Sequence, residues 1–214
     1  MTCKLCNNTT RTITHPKRGV FHLCPHCGLI AKDELFHPSE EEAFQEYSLH
    51  ENSLEDPLYQ AYFRRFLESA VLPFVKEGRL ALDYGSGPTP VLATLLGDGY
   101  GFQVETYDLF FSPEKVYENK KYDLITSTEV LEHLDDPLSA FQLFASLLAP
   151  GGILAVMTLL HHHDEAQFLK WHYIQEVSHI SFFALETLQF LSEEVGLELL
   201  YSDEKRYATF KGRA

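Results

Sequence analysis

The first 27 residues hold every cysteine of the chain, as Cys3-x2-Cys6, a 17-residue gap, and Cys24-x2-Cys27. Nothing else in the sequence limits the local fold so strongly. A C-x2-C turn aims two thiolates at one ion, and four thiolates fill the closed tetrahedral shell of a structural zinc site. Pro25 and Gly28 suit the turn of the second pair. Two disulfides are the competing use, but nothing in the sequence suggests an oxidising compartment. A closed shell leaves no open position, so the zinc is expected to be structural and not catalytic. His15, His22 and His26 are then surplus and expected at the surface. Residues 1–32 read as a zinc ribbon.

Charge separates this segment from the rest. Residues 1–32 carry five basic residues and no acid, while the remainder carries 12 basic and 31 acidic residues within a net charge of −14. An acidic body is a poor tracker of phosphate backbones, so RNA or protein contact is expected through the ribbon if anywhere. Four thiolates around Zn²⁺ weaken even that positive field. Composition is ordinary for a globular chain, with 45% hydrophobic and 22% charged residues. The longest largely apolar stretch, 147–160, is broken by Pro150, Gly151 and Gly152 and is too short to span a bilayer. No apolar leader precedes the cysteines. The expectation is a cytoplasmic protein with no membrane span.

Residues 33–56 are acidic and read as a connector or lid, with a capping box at Ser39 and Glu42. Asp56-Pro57 supplies an N-cap and N1 pair, and Tyr59, Phe63, Phe66, Leu67 and Val71 continue at helical spacing to about residue 72. From residue 80 the texture alternates. Strands are expected at 80–84, 102–107, 122–127 and 153–158, and helices at 91–96, 137–148, 164–175 and 185–195. Segments 197–202 and 206–211 suit a closing antiparallel hairpin. This order predicts an α/β fold with a mostly parallel sheet and helices on both faces, over residues 57–214.

Asp83-Tyr84-Gly85-Ser86-Gly87 falls at the first strand-to-helix turn, where glycines let backbone approach a ligand. Asp108 ends the next strand, where a carboxylate can accept both ribose hydroxyls of a nucleoside. Ligands of open α/β sheets bind at these strand ends. Pro90 stands where a dinucleotide fingerprint wants its third glycine, and no phosphate-loop motif occurs.

The ordered blocks LALDYGSGPTPVLATLL, VETYDLFF, YDLITSTEVLEHLDDP, LLAPGGILAVMT and FLKWHYIQEVSHISFFALETLQFL resemble class I S-adenosylmethionine-dependent methyltransferases. The third and fourth are similar to the ubiquinone-biosynthesis O-methyltransferase branch. The resemblance implies a Rossmann-like sheet and binding of S-adenosylmethionine or S-adenosylhomocysteine. It places Asp83, Gly85 and Gly87 on the methionyl side, Asp108 on the ribose, and Leu109 and Phe110 beside the adenine. Ser127, Thr128 and Glu129 come to the sulfonium end. Thr89 stands where the family often has another glycine. The short interval from Asp108 to Tyr122 implies that the usual helix and strand there are curtailed.

Glu129, Glu132 and His133 lie at i, i+3 and i+4, so a helix start would place them on one face. The pattern resembles the E-x-x-E-H magnesium site of ubiquinone-pathway O-methyltransferases. It also resembles that of small-RNA 2′-O-methyltransferases, which add a distal histidine, here His179. Without a metal, His133 or His179 suits a general base that takes the acceptor proton. Glu132 facing solvent is the plain alternative. Tyr47, His50 and Asn52 suit either a polar loop or a lid. Trp171 and Tyr173 suit either core packing or stacking on an acceptor. His161, His162 and His163 read as a solvated loop.

These features together imply a methyltransferase acting on an O or N acceptor, with a small molecule favoured. The alternatives are an RNA methyltransferase that uses the ribbon for recognition, and a ribbon adaptor for RNA or protein on a degenerate methyltransferase fold.

Overall fold

The computed structural model describes residues 1–48 and 53–212. The N-terminal segment forms β1 (Arg11–His15), β2 (Gly19–Leu23) and β3 (Ile30–Lys32), paired antiparallel in that order. Next come α1 (Glu40–Ser48) and α2 (Pro57–Phe66). Both begin as their sequences predict. The Ser39 N–H donates to Glu42 Oε2 at 2.8 Å and the Leu58 N–H to Asp56 Oδ1 at 2.8 Å. A π-helical turn, Leu67–Val71, extends α2. Then follow β4 (Leu80–Tyr84), α3 (Val91–Tyr100), β5 (Gln103–Tyr107), β6 (Tyr122–Thr128), α4 (Pro137–Leu147) and β7 (Leu148–Met157). The chain continues through α5 (Glu165–Phe168), β8 (Ser181–Phe182), α6 (Leu185–Glu194), β9 (Leu197–Ser202) and β10 (Tyr207–Gly212).

The main sheet has the order β5-β4-β6-β7-β10-β9. Its first four strands are parallel; β10 and β9 add the antiparallel hairpin. Adjacent residues of the central strands serve opposite faces, as a pleat requires. Leu82, Ile125 and Leu154 pack with Phe141, Phe144, Leu188 and Leu191 of α4 and α6. Ala81, Leu124 and Ile153 pack with Phe66, Leu67, Val71, Leu92 and Leu96 on the other side. Among the described residues no helix or strand intervenes between β5 and β6, as the short interval implies.

Several expectations are corrected. Helix 164–175 is only α5, followed by a 3-10 turn at His172–Gln175. His22 is buried, with Nε2 2.8 Å from Asp33 Oδ2; this partner holds the Asp33 carboxyl below its usual range. His161 is also buried. Its Nε2–H donates to the Gly28 carbonyl at 2.8 Å, and desolvation pushes the ring down to about 4.

The largest departure concerns the ribbon, whose three strands are joined by a fourth from far along the chain. β8 pairs antiparallel with β3, Ile30 opposite Phe182 and Ala31 opposite Ser181. Lys32 N–H donates to Ile180 O at 2.8 Å, and Lys32 Nζ to Val177 O at 3.0 Å. Ile13, Phe21, Leu23 and Ile30 share one apolar cluster with Phe168, Tyr173, Ile174 and Phe182. No helix among the described residues is long and apolar enough to cross a membrane.

Candidate active site

Strand order reverses at β4, with β5 on one side and β6 on the other. At such a switch point the loops after the strands diverge and leave a crevice. Here it is a cavity of about 710 Å³, lined from Asp83 and Gly85 through Asp108 to Glu129, His133 and His179.

Asp108 organises one end of it. Its Oδ2 accepts from Gly87 N–H at 2.9 Å, and its Oδ1 from Phe110 and Phe111 N–H at 2.9 and 3.1 Å. One carboxylate thus ties the glycine loop to the loop after β5. Phe110 lines the cavity, and Leu109 stands at its mouth, 66% exposed.

Gly85 has φ +84°, and a Cβ there would lie 2.2 Å from Val130 Cγ2. The left-handed backbone and the Val130 contact both call for glycine here, and the residue also lines the cavity, where the sequence suggested approach to a ligand. Gly85→Ala is expected to cost about 2–4 kcal/mol from strain and overlap. Val130→Ala should recover part of the loss in urea unfolding; a neutral Gly85→Ala would refute this packing.

Asp83 is fully buried, and desolvation raises its carboxyl to about 7, partly offset by Thr126 Oγ1–H donating at 3.0 Å. A raised carboxyl pKa stabilises the fold below the unfolded value, and that stabilisation is lost as pH rises through the folded value. Stability should fall between about pH 4 and 7, with Asp83 contributing up to about 1.4 kcal/mol per pH unit. Asp83→Asn should flatten thermal unfolding midpoints across that window; an unchanged slope would exclude Asp83 as the source.

Glu129 opens the other end, directly after β6, with φ +53°. A non-glycine residue held there is strained, and such strain gathers at functional sites. Tyr62 Oη–H donates to Glu129 Oε1 at 2.6 Å. Tyr173 Oη lies 3.0 Å from Glu129 Oε2 and in hydrogen-bond contact with Glu132 Oε1. A phenol has one proton, so it cannot donate to both carboxylates. Burial and the Glu129 charge push the Glu132 carboxyl well above its usual range. A protonated Glu132 donating to Tyr173, which donates to Glu129, satisfies the chain.

Glu132 is 0% exposed, which corrects the solvent-facing alternative. The helical face is also corrected. Glu129 and Val130 are non-helical, and Leu131–His133 form a single 3-10 turn. That turn still brings ligand atoms of Glu132, His133 and His179 within 4.8 Å of one another. Glu132 Oε2 has no hydrogen-bond partner. His133 Nδ1–H donates to Ser178 O at 3.2 Å and His179 Nδ1–H to Tyr173 O at 2.8 Å. Carbonyl contacts of this kind orient metal-ligating imidazoles. An orphaned carboxyl oxygen beside two oriented imidazoles fits a divalent cation, which would displace the Glu132 proton on binding. Glu129, which the sequence grouped with them, has both oxygens engaged by tyrosines.

Ser127 lies inside the sheet, fully buried, its Oγ without a partner. Thr128 lines the cavity. Tyr47 also lines it, with its ring 4.8 Å from His133 and 5.3 Å from Phe110; His50 and Asn52 lie outside the described residues. Tyr173 serves this site while Trp171 lines a second cavity. Sequence reasoning missed Tyr62 and Glu176. Tyr62 stands three residues after Tyr59, a helical spacing that could have placed both on one face of α2. Glu176 Oε2 lies 3.3 Å from His179 Nε2, with no local signal to mark it.

At the ribbon, all four thiols are free, which removes the disulfide alternative. Cys3 and Cys27 sulfurs lie 3.6 Å apart and Cys6 and Cys24 sulfurs 3.4 Å. A tetrahedral Zn–S shell at 2.3 Å has edges of about 3.8 Å, so the quartet fits zinc. Asn7 and Gly28, both at positive φ, close the two knuckles with N–H donated to Cys3 O and Cys24 O.

An open, mostly parallel α/β sheet with a cleft at its switch point defines the class of Rossmann-like folds. Residues 59–202 match the family described as a methyltransferase domain. The chain belongs to that family. Over 58 residues it is 38% identical to the ubiquinone biosynthesis O-methyltransferase of Histophilus somni (strain 2336), covering 27% of this chain and 24% of that protein. The match thus spans about a quarter of the relative's length. An O-methyltransferase family protein from Burkholderia thailandensis shares the fold, with a TM-score of 0.57, 17% identity, and 73% and 56% of the two chains covered. An O-methyltransferase family 2 protein from Planctomyces limnophilus DSM 3776, solved in complex with apigenin, gives 0.54, 18%, 81% and 62%.

Proposed function

We propose that this chain is an S-adenosylmethionine-dependent methyltransferase acting on an oxygen or nitrogen of a small molecule. The observation that carries the reading is the single cleft joining the Gly85–Gly87 loop and Asp108 to Glu129, His133 and His179. When bound, the cofactor supplies a methyl group on a sulfonium centre. Asp83, Gly85 and Gly87 would flank its methionyl part, Asp108 its ribose, and Leu109 and Phe110 its adenine. Thr128 and the Glu129 carboxylate would face the sulfonium end; Ser127 supports them from inside the sheet.

For the acceptor, the chain supplies orientation, exclusion of water and a base. Tyr59, Tyr62 and Tyr173 wall the acceptor end with aromatic surface. His179 would take the proton at Nε2, with Glu176 beside it to stabilise the imidazolium. His133 is the second candidate base. The cavity volume and aromatic wall support a small molecule, as does the apigenin bound by the Planctomyces protein.

Glu132, His133 and His179 would hold a divalent cation. Two imidazoles suit manganese, iron or zinc at least as well as magnesium. A cation would occupy the nitrogen that otherwise acts as base, so the two uses of His179 exclude each other. Cys3, Cys6, Cys24 and Cys27 would hold one structural zinc, and a cytoplasmic location suits four reduced thiols.

Calorimetric titration of S-adenosylhomocysteine tests the reading, with and without magnesium or manganese. Binding near micromolar, about −8 kcal/mol, is expected. A cation-dependent change would support the cluster at Glu132. Absence of binding under every condition would overturn the assignment.

A further inference from the structure

Behind the Tyr173 wall lies a second cavity of about 650 Å³. Lys170, Lys205 and Arg206 border it, with Leu159, Phe168 and Trp171 as apolar walls. The chain is acidic overall, at −14. Yet among the described residues none of these three cations is in an ion pair. The one carboxylate on the lining, Asp164, accepts from Gln167 N–H at 3.0 Å and Gln167 Nε2–H at 2.9 Å; these bonds, with a smaller contribution from the Lys170 charge, hold it below its usual range.

The backbone under two of the cations is well fixed. Asp203 Oδ1 accepts N–H bonds from Lys205, Arg206 and Tyr207 at 2.9, 2.8 and 2.8 Å. Lys205 O and Arg206 O in turn accept from Leu160 and Thr158 N–H at 2.8 and 3.0 Å. The Arg206 guanidinium lies 5.6 Å over the Tyr62 ring.

We propose that this cavity binds a planar ring that carries a phosphate, as in a mononucleotide. Lys170 and Lys205 stand exposed at the rim, with Arg206 between this cavity and the Tyr62 ring, and one engaged carboxylate faces them; such a rim calls for an anion of more than one charge, which a phosphomonoester supplies. Trp171 and Phe168 call for a flat, weakly polar body beside it, and an indole face is a sequence-tolerant platform for a base. The volume lies within the range of small-ligand sites and exceeds what a bare phosphate fills. The inference is independent of the methyl-transfer reading, since no residue of the cofactor end takes part.

Trp171 is the only tryptophan of the chain, so its emission reports this cavity directly. The experiment titrates uridine 5′-monophosphate, which lacks adenine, into the full-length protein at low ionic strength. Uridine and inorganic phosphate serve as controls. The nucleotide is expected to quench Trp171 with saturable, sub-millimolar affinity, and uridine to bind at least about tenfold more weakly. Lys170→Met combined with Lys205→Met should weaken the nucleotide at least about tenfold, with thermal unfolding unchanged. No quenching up to about millimolar nucleotide, equal binding of uridine, or indifference to the double variant would overturn the proposal. A uridine pentanucleotide separates the two sources of this chemistry. Binding at least about tenfold tighter than the monomer assigns the site to an RNA strand, and no gain assigns it to a free phosphorylated small molecule.

Discussion

Asp108→Ala is expected to lose at least about 100-fold in affinity for S-adenosylhomocysteine, or about 2.7 kcal/mol. The variant removes the proposed ribose acceptor and also strips three backbone N–H groups, on Gly87, Phe110 and Phe111, of their common partner. Unpaired donors at the base of a cleft reorient toward water, so the glycine loop and the loop after β5 should move apart. Asp108→Asn is expected to fail as well, because its amide presents one acceptor oxygen where two are used. Calorimetry reads the affinity, and circular dichroism should report a fold that is otherwise intact. Affinity within threefold of the parent would move the cofactor away from Asp108 and favour a scaffold role for the domain.

Deletion of residues 1–32 is expected to abolish folding of the remainder. The ribbon contributes Ile13, Phe21, Leu23 and Ile30 to a cluster completed by Phe168, Tyr173, Ile174 and Phe182. Each large apolar side chain so buried is worth roughly 1.5–3 kcal/mol. Four of them rival the whole stability of a typical domain, about 5–15 kcal/mol. The deletion would also open the β3 side of β8, next to His179. Cys24→Ser in the full chain is the gentler form and should lower the unfolding midpoint by about 10 °C or more. A soluble, cooperatively unfolding 33–214 fragment would refute the shared core.

What was legible follows from how local each signal is. The starts of α1 and α2 are written in Ser39, Glu42, Asp56 and Pro57, a few residues apart, and the structure uses each as read. The parallel sheet follows from alternation of short apolar runs with amphipathic segments. The cysteine quartet is a fixed spacing and comes together as spacing requires. Illegible features depend on residues distant in sequence. β8 is two residues long, and its partner lies about 150 positions earlier. Glu132 looks like an exposed acid until Tyr173, 41 residues on, closes over it. Gly85 carries a second reason that its neighbours in sequence do not show: at φ +84° it lies against Val130, 45 residues on, as well as on the cleft lining.

The pairing of β3 with β8 also fixes an order of events during synthesis. The cysteines emerge well before β8 and can close around a metal in the interval. Ser181 and Phe182 leave the ribosome about 150 residues later, which at 5–20 residues per second is roughly 8–30 s. Throughout that interval the nascent protein displays a three-stranded sheet with a bare edge and uncovered Phe21 and Ile30, a template for pairing with other chains. Chaperone cover until β8 arrives should therefore govern how much of this protein a cell obtains.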